Sequence, residues 1–165
     1  KKFLPQLLLS AETVGNSFLK IKETLAASGK EQEEKGTIAI ATVFGDIHDI
    51  GKNIVKAMLE NYGYKVIDLG KNVPAETVVK TVIENKIRLV GLSALMTTTV
   101  ANMEETINQL HKALKENNLE CKIVVGGAVL TPDYAKKIGA DFYAKDAMET
   151  VSAAKEVFGK WKRKI

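Results

Sequence analysis

From Thr37 onward the chain alternates short apolar, β-branched runs with stretches whose apolar residues recur at three- and four-residue steps. The runs predict strands over 37–43, 64–68, 88–93, 121–125 and 141–143. The stepped stretches predict helices over 52–62, 75–86, 100–117, 132–138 and 147–162. Pro74 before one helix, Thr131-Pro132 at the start of another and Gly63 after a third agree with these limits. Upstream the pattern differs. Leu4, Leu7, Leu8, Val14, Phe18, Ile21 and Leu25 mark one face of a long amphipathic helix, with Pro5 suited to its first turn.

Strands that strictly alternate with helices imply a parallel sheet covered on both faces. The fold class expected is therefore α/β with a five-stranded parallel sheet, taken in the flavodoxin-like (Rossmann-like) order 2-1-3-4-5. The helix within residues 1–28 has no partner of its own for its apolar stripe, so it is expected to be the last part of a helical bundle that begins upstream. Residues 29–36, charged and bracketed by Gly29 and Gly36, read as a linker, and 37–165 as the α/β domain.

Composition narrows the function classes. The 165 residues are 45% hydrophobic and 27% charged, enough for one domain with a real core. The single cysteine, Cys121, excludes an internal disulfide framework, and no CxxC suggests structural zinc. No apolar run approaches a membrane span and no signal peptide is visible, so a cytoplasmic protein is expected. The net charge of +4 comes partly from Lys160, Lys162, Arg163 and Lys164, which read as a solvated helix end rather than a nucleic-acid surface.

The chemistry-bearing stretch is Gly45-Asp46-Ile47-His48-Asp49-Ile50-Gly51, directly after the first strand. A carboxylate beside a histidine fixes its tautomer and leaves the other ring nitrogen free to coordinate a metal. In the expected strand order the crevice lies between the ends of the first and third strands. Three loops meet there: the His48 loop, the segment Ser93 to Thr99, and Gly126-Gly127-Ala128. Small and hydroxylated residues let a bulky ligand approach the backbone and bond to it. A bare transition ion needs three or four protein donors, but His111 falls on a helix and Cys121 starts the fourth strand. A lone histidine serves a metal that brings its other ligands, as haem and corrinoids do; the competing reading is a loop histidine bonded to Asp46 or Asp49. A phosphate cradle at Gly126-Gly127 lacks the known glycine-loop patterns, and a phosphoacceptor receiver would want an aspartate where Ser93 stands. Lys145 reads as a solvated loop cation, and the apolar residues of 100–117 read as core.

Asp46-x-His48-x-x-Gly51, then Ser93-x-Leu95, then Gly126-Gly127 resemble, in order and spacing, the three-part signature of cobalamin-binding domains that put a protein histidine on cobalt. The resemblance covers about residues 37–160. Within that superfamily the chain looks most like the cobalamin domain of methionine synthase, through residues 45–53, Asp68-Leu-Gly70 followed by Val73-Pro74-Ala75, and Gly91-Leu-Ser93. Phe3-Leu4-Pro5-Gln6 resembles the last part of that enzyme's helical cap.

The resemblance implies a role for each matching residue. His48 would be the lower axial cobalt ligand and Asp46 would hold the proton of its other nitrogen. Thr99 stands where the family continues the relay with a serine, keeping the hydroxyl and adding a methyl. Ser93, with Leu95 beside it, would receive the cofactor's displaced base. Gly45, Asp46, Ile47, His48, Asp49, Gly51, Thr97, Gly126, Gly127 and Ala147 would line the corrin and its tail, and Phe3 and Leu4 would lie over the upper face. The implied activity is that of a methyl carrier of the methionine synthase type, cycling between methyl-Co(III) and Co(I) with cobalamin (methylcobalamin) as cofactor. Its expected partners are substrate-activating methyltransferase domains of the homocysteine and methyltetrahydrofolate type, with no nucleic acid and no membrane. The alternative is a corrinoid protein serving methanol, methylamines or aryl ethers. Less favoured are a carbon-skeleton mutase domain and a non-catalytic cobalamin sensor.

Overall fold

The computed structural model describes residues 36–163. The expected helix of 1–28 and most of the linker, and with them Phe3 and Leu4, lie outside the described residues. Five strands alternate with five helices: β1 (Thr37–Thr42), α1 (Ile50–Asn61), β2 (Lys65–Asp68), α2 (Ala75–Asn85), β3 (Leu89–Ser93), α3 (Thr97–Glu116), β4 (Lys122–Gly126), α4 (Pro132–Lys137), β5 (Phe142–Tyr143) and α5 (Ala147–Arg163). The strands form one sheet, parallel as the alternation predicts, in the expected flavodoxin-like order β2-β1-β3-β4-β5.

Period-two alternation sends each strand's residues to two different cores. Ala39, Ala41 and Val43, with Val90, Leu92, Ile123 and Val125, meet Val78 and Val82 of α2 and Val100, Met103, Ile107, Leu110 and Leu114 of α3. On the opposite face Ile38, Ile40, Leu89 and Val124 meet Leu59 of α1 and Val151, Ala154 and Phe158 of α5. The second core is the smaller, and its cluster stops short of the C-terminal ends of β1, β3 and β4.

Local chemistry sets the helix ends. Thr131 Oγ1 accepts the Tyr134 N–H at 3.1 Å, with Pro132 following in the first turn of α4. Gly63, at φ +95°, takes the left-handed turn that ends α1. α3 begins at Thr97, three residues before the expected start, because the Thr97-Thr98-Thr99 run carries no apolar periodicity to announce a helix. That extra turn places Thr99 on the helix.

Candidate functional site

The loop leaving β1 carries Asp46 and His48 into opposite environments. Asp46 is fully buried, whereas the His48 side chain keeps 44% of its surface. Asp46 Oδ1 lies 2.8 Å from His48 Nδ1 and accepts the His48 backbone N–H at 3.0 Å. Oδ2 accepts the Leu95 N–H at 2.7 Å and the Thr99 hydroxyl at 2.7 Å. Burial pushes this carboxyl up, but the bonds from Leu95, Thr99 and His48 outweigh it and hold the group well below the usual carboxylate range. A carboxylate so held accepts only, so Nδ1 keeps its proton toward Asp46 and Nε2 is left with its lone pair.

Beside the loop, α1 and α5 part over the sheet to leave a cleft of about 830 Å³. Two rows of paired residues, Ile40-Gly91-Val124 and Thr42-Ser93-Gly126, lie on the sheet face beneath it. The central row positions are small. A Cβ on Gly91 would lie 3.3 Å from Ile40 Cγ2 and 3.5 Å from Val124 Cγ1, so glycine keeps the floor flat. Ser93 Oγ is 2.9 Å from Thr42 Oγ1 and retains bonding capacity toward the cleft. Gly127 has a different reason. At φ +142° it runs so close to β3 that a Cβ would stand 1.8 Å from the Ala94 carbonyl oxygen.

The other expected site residues fall around this centre. Ile47 and Leu95 are exposed apolar residues on the cleft wall, Asp49 and Gly51 lie at the start of α1, and Ala147 opens α5; all five line the cleft. Gly45, at φ +87°, is exposed on the loop. Thr97 is exposed at the start of α3 and is not part of the cleft wall. Lys145 is exposed, as expected, and stands on the cleft rim. His111 is exposed on α3. Cys121 precedes β4 at the opposite edge of the sheet, its thiol pushed up to about 12 by burial and then by Asp141.

Three residues escaped the sequence reading. Lys52, only 4% exposed, donates from Nζ to both Asp68 oxygens at 2.8 and 2.9 Å and to Asn53 Oδ1 at 2.7 Å, tethering α1 to the end of β2. Asn72 and Asn102 bond to the backbone of the histidine loop. Both Lys52 and Asp68 sit inside stretches quoted for the resemblance, and that was the available signal.

Among the described residues no group of three or more His, Cys, Asp or Glu could hold a metal ion. One imidazole whose Nδ1 is engaged by Asp46, at the mouth of a cleft whose floor has glycine at Gly91 and Gly126, instead suits a metal carried in its own macrocycle.

Known proteins agree with this chemistry. Residues 36–152 match the B12-binding domain family. The chain is 42% identical over 157 residues to trimethylamine corrinoid protein 1 of Methanosarcina acetivorans, covering 94% of this chain and 71% of that protein. It is 41% identical over 159 residues to dimethylamine corrinoid protein 1 of Methanosarcina mazei, covering 95% of this chain and 71% of that one. Among solved structures, the methanol:cobalamin methyltransferase complex MtaBC from Methanosarcina barkeri aligns with a TM-score of 0.75 at 33% identity, covering 94% of this chain and 58% of that chain. These relatives favour the corrinoid proteins of methylamine and methanol systems over methionine synthase. The chain thus belongs to the B12-binding domain family, on its corrinoid methyl-carrier side, and its cofactor is cobalamin.

Proposed function

We propose that this chain carries the cobalamin of a methyltransferase system of the methylamine or methanol class, with His48 as the lower ligand of cobalt. The observation that carries the reading is the division of labour on one imidazole: Nδ1 is held by Asp46 at 2.8 Å while the half-exposed ring lines an open cleft. The names of the relatives support the donor class.

When bound, cobalamin supplies a cobalt that accepts a methyl group from one substrate and yields it to another. The chain's own residues do the rest. His48 Nε2 offers its lone pair, and Asp46 holds the ring at one angle and one tautomer. Thr99 Oγ1 holds Asp46 in turn, its 2.7 Å bond to the carboxylate being shorter than its 3.0 Å contact with the Met96 carbonyl. Four donors occupy the Asp46 oxygens, so the carboxylate acts only as an acceptor and keeps the ring's Nδ1 proton turned toward it. Ser93 would bond the displaced base of the cofactor, with Gly91 and Gly126 leaving room beside it. The apolar side chains of Ile47, Ile50 and Leu95 would exclude water around the ring.

His48→Gly tests the reading. The variant should bind methylcobalamin yet show the visible spectrum of a form without an axial base; a spectrum identical to that of the unaltered chain removes His48 as the ligand.

A further inference from the structure

The loop that carries His48 belongs to no helix or strand, so its backbone groups must find partners elsewhere. Two asparagines supply them. Asn102 Nδ2 donates to the Phe44 carbonyl at 2.7 Å. Asn72 Oδ1 accepts the Gly45 N–H at 2.7 Å, and the Asn72 backbone N–H donates to the Asp46 carbonyl at 2.8 Å. Three consecutive loop residues are thereby held from outside. The identity of each backbone partner fixes which end of each carboxamide faces it.

The two asparagines come from elements that are themselves anchored to the site. Asn102 follows Thr99 by three residues on α3, so neighbouring positions on that helix grip Asp46 and the loop ahead of it. Asn72 adopts φ +55°, a left-handed backbone that asparagine tolerates. Its neighbours are fixed to the end of β1: the Val73 N–H bonds the Thr42 carbonyl at 3.0 Å, and the Thr42 N–H bonds the Gly70 carbonyl at 2.9 Å. Gly45 completes the arrangement. A Cβ there would lie 3.2 Å from Asn102 Nδ2 and 3.4 Å from Thr99 Cγ2.

We infer that Asn72 and Asn102 are positioning residues for the cobalt ligand: clamping Phe44, Gly45 and Asp46, they fix how far His48 reaches from the sheet. The inference rests on the reading of His48 under Proposed function and adds the residues that set its height. Both clamping bonds lie near solvent, where one hydrogen bond adds little to folding. A ligand displaced by a fraction of an ångström, by contrast, loses coordination directly. The clamp therefore matters more to cobalt than to stability.

The two carboxamides act in opposite senses, one donating and one accepting, and replacement by aspartate separates them. Asn72→Asp keeps an acceptor for the Gly45 N–H. Asn102→Asp sets a carboxylate oxygen against the Phe44 carbonyl. The full chain, loaded with methylcobalamin, is compared as unaltered protein, Asn72→Ala, Asn72→Asp, Asn102→Ala, Asn102→Asp and His48→Gly. The visible spectrum at one fixed pH gives the ratio of histidine-free to histidine-coordinated cofactor, and circular dichroism gives the melting temperature. Asn72→Ala, Asn102→Ala and Asn102→Asp should raise the ratio about tenfold, the usual cost of losing an outer partner of a metal ligand. Asn72→Asp should stay near the unaltered chain, and the melting temperatures should barely move. If both alanine variants and Asn102→Asp keep the unaltered ratio while His48→Gly loses coordination, the clamp is refuted and the ligand stands. If the unaltered chain already shows the His48→Gly spectrum, the ligand reading falls, and the clamp with it.

Discussion

Asp46 concentrates the site's electrostatics in one residue. It is fully buried, and four hydrogen bonds keep it ionised against that burial. Its carboxyl is depressed in the folded chain, so its contribution to stability is present above the unfolded value of about 4 and is lost as pH falls through the folded value. Urea unfolding of the cofactor-free chain should therefore show stability declining below about pH 4, and Asp46→Asn should flatten that slope while lowering stability at neutral pH. An unchanged slope in the variant would assign the acid sensitivity to another group. This residue was legible in the sequence, because a carboxylate two positions from a histidine has an obvious partner. Thr99 was legible as a position through the family resemblance, but its geometry was not. Its methyl group points toward Gly45, the place a Cβ would need, so the branch and the glycine fit each other and the hydroxyl faces Asp46. Asn72 and Asn102 were invisible because their partners stand 27 and 58 residues away, and an asparagine in a turn or on a helix announces no such contact.

The elements were read well wherever a period governed them. The parallel sheet and every strand–helix alternation follow from apolar runs that can be buried only on a two-sided sheet, whereas the strand order was taken from the flavodoxin-like pattern and is the one observed. The start of α3 was missed where three threonines replace the apolar signal, and β5 shrank to two residues because little of the 141–143 run pairs with β4. The cleft was only half legible. Loops converging at the strand ends could be inferred from topology, but the emptiness of the floor depends on which β3 residue faces Ile40 and Val124, a matter of register. Gly91 occupies that place. Gly91→Leu should leave the melting temperature within a few degrees of the unaltered chain, provided that Ile40 Cγ2, 3.3 Å from the new Cβ, shifts by a few tenths of an ångström while the rest of the side chain enters the cleft. It should weaken cobalamin retention at least about tenfold, because filling the floor displaces the cofactor's tail. Equal retention after gel filtration would show that the tail does not lie over β3. Lys52 makes a related point. Buried lysine is rare without a partner, and its bonds to Asp68 reveal a tether that hydropathy alone would have placed in solvent.

For the molecule as a whole, the donor of the methyl group is the question on which sequence and comparisons diverge. The motif stretches resemble methionine synthase, whereas the relatives carry methylamine and methanol names. Identity to a trimethylamine protein and to a dimethylamine protein is nearly the same, at 42% and 41%. That near-equality gives no ground for choosing between the two amines. In the reading proposed above, cleft, histidine loop and sheet floor serve the cofactor, and the donor would be held by a separate methyltransferase. The exposed apolar side chains of Ile47, Ile50 and Leu95 stand on the cleft wall, where the bound cofactor would cover them. The cobalamin-loaded chain, with its cobalt chemically reduced, can be offered three pairs in separate arms. These are a methylamine with its methyltransferase, methanol with its methyltransferase, and methyltetrahydrofolate with the folate domain of a methionine synthase. The methylcobalamin spectrum should grow in the methylamine arm, with the methanol arm slower and the folate arm at the uncatalysed rate. Growth confined to the folate arm would reverse the assignment and return the chain to methionine synthase, with His48, Asp46 and Thr99 keeping the same duties.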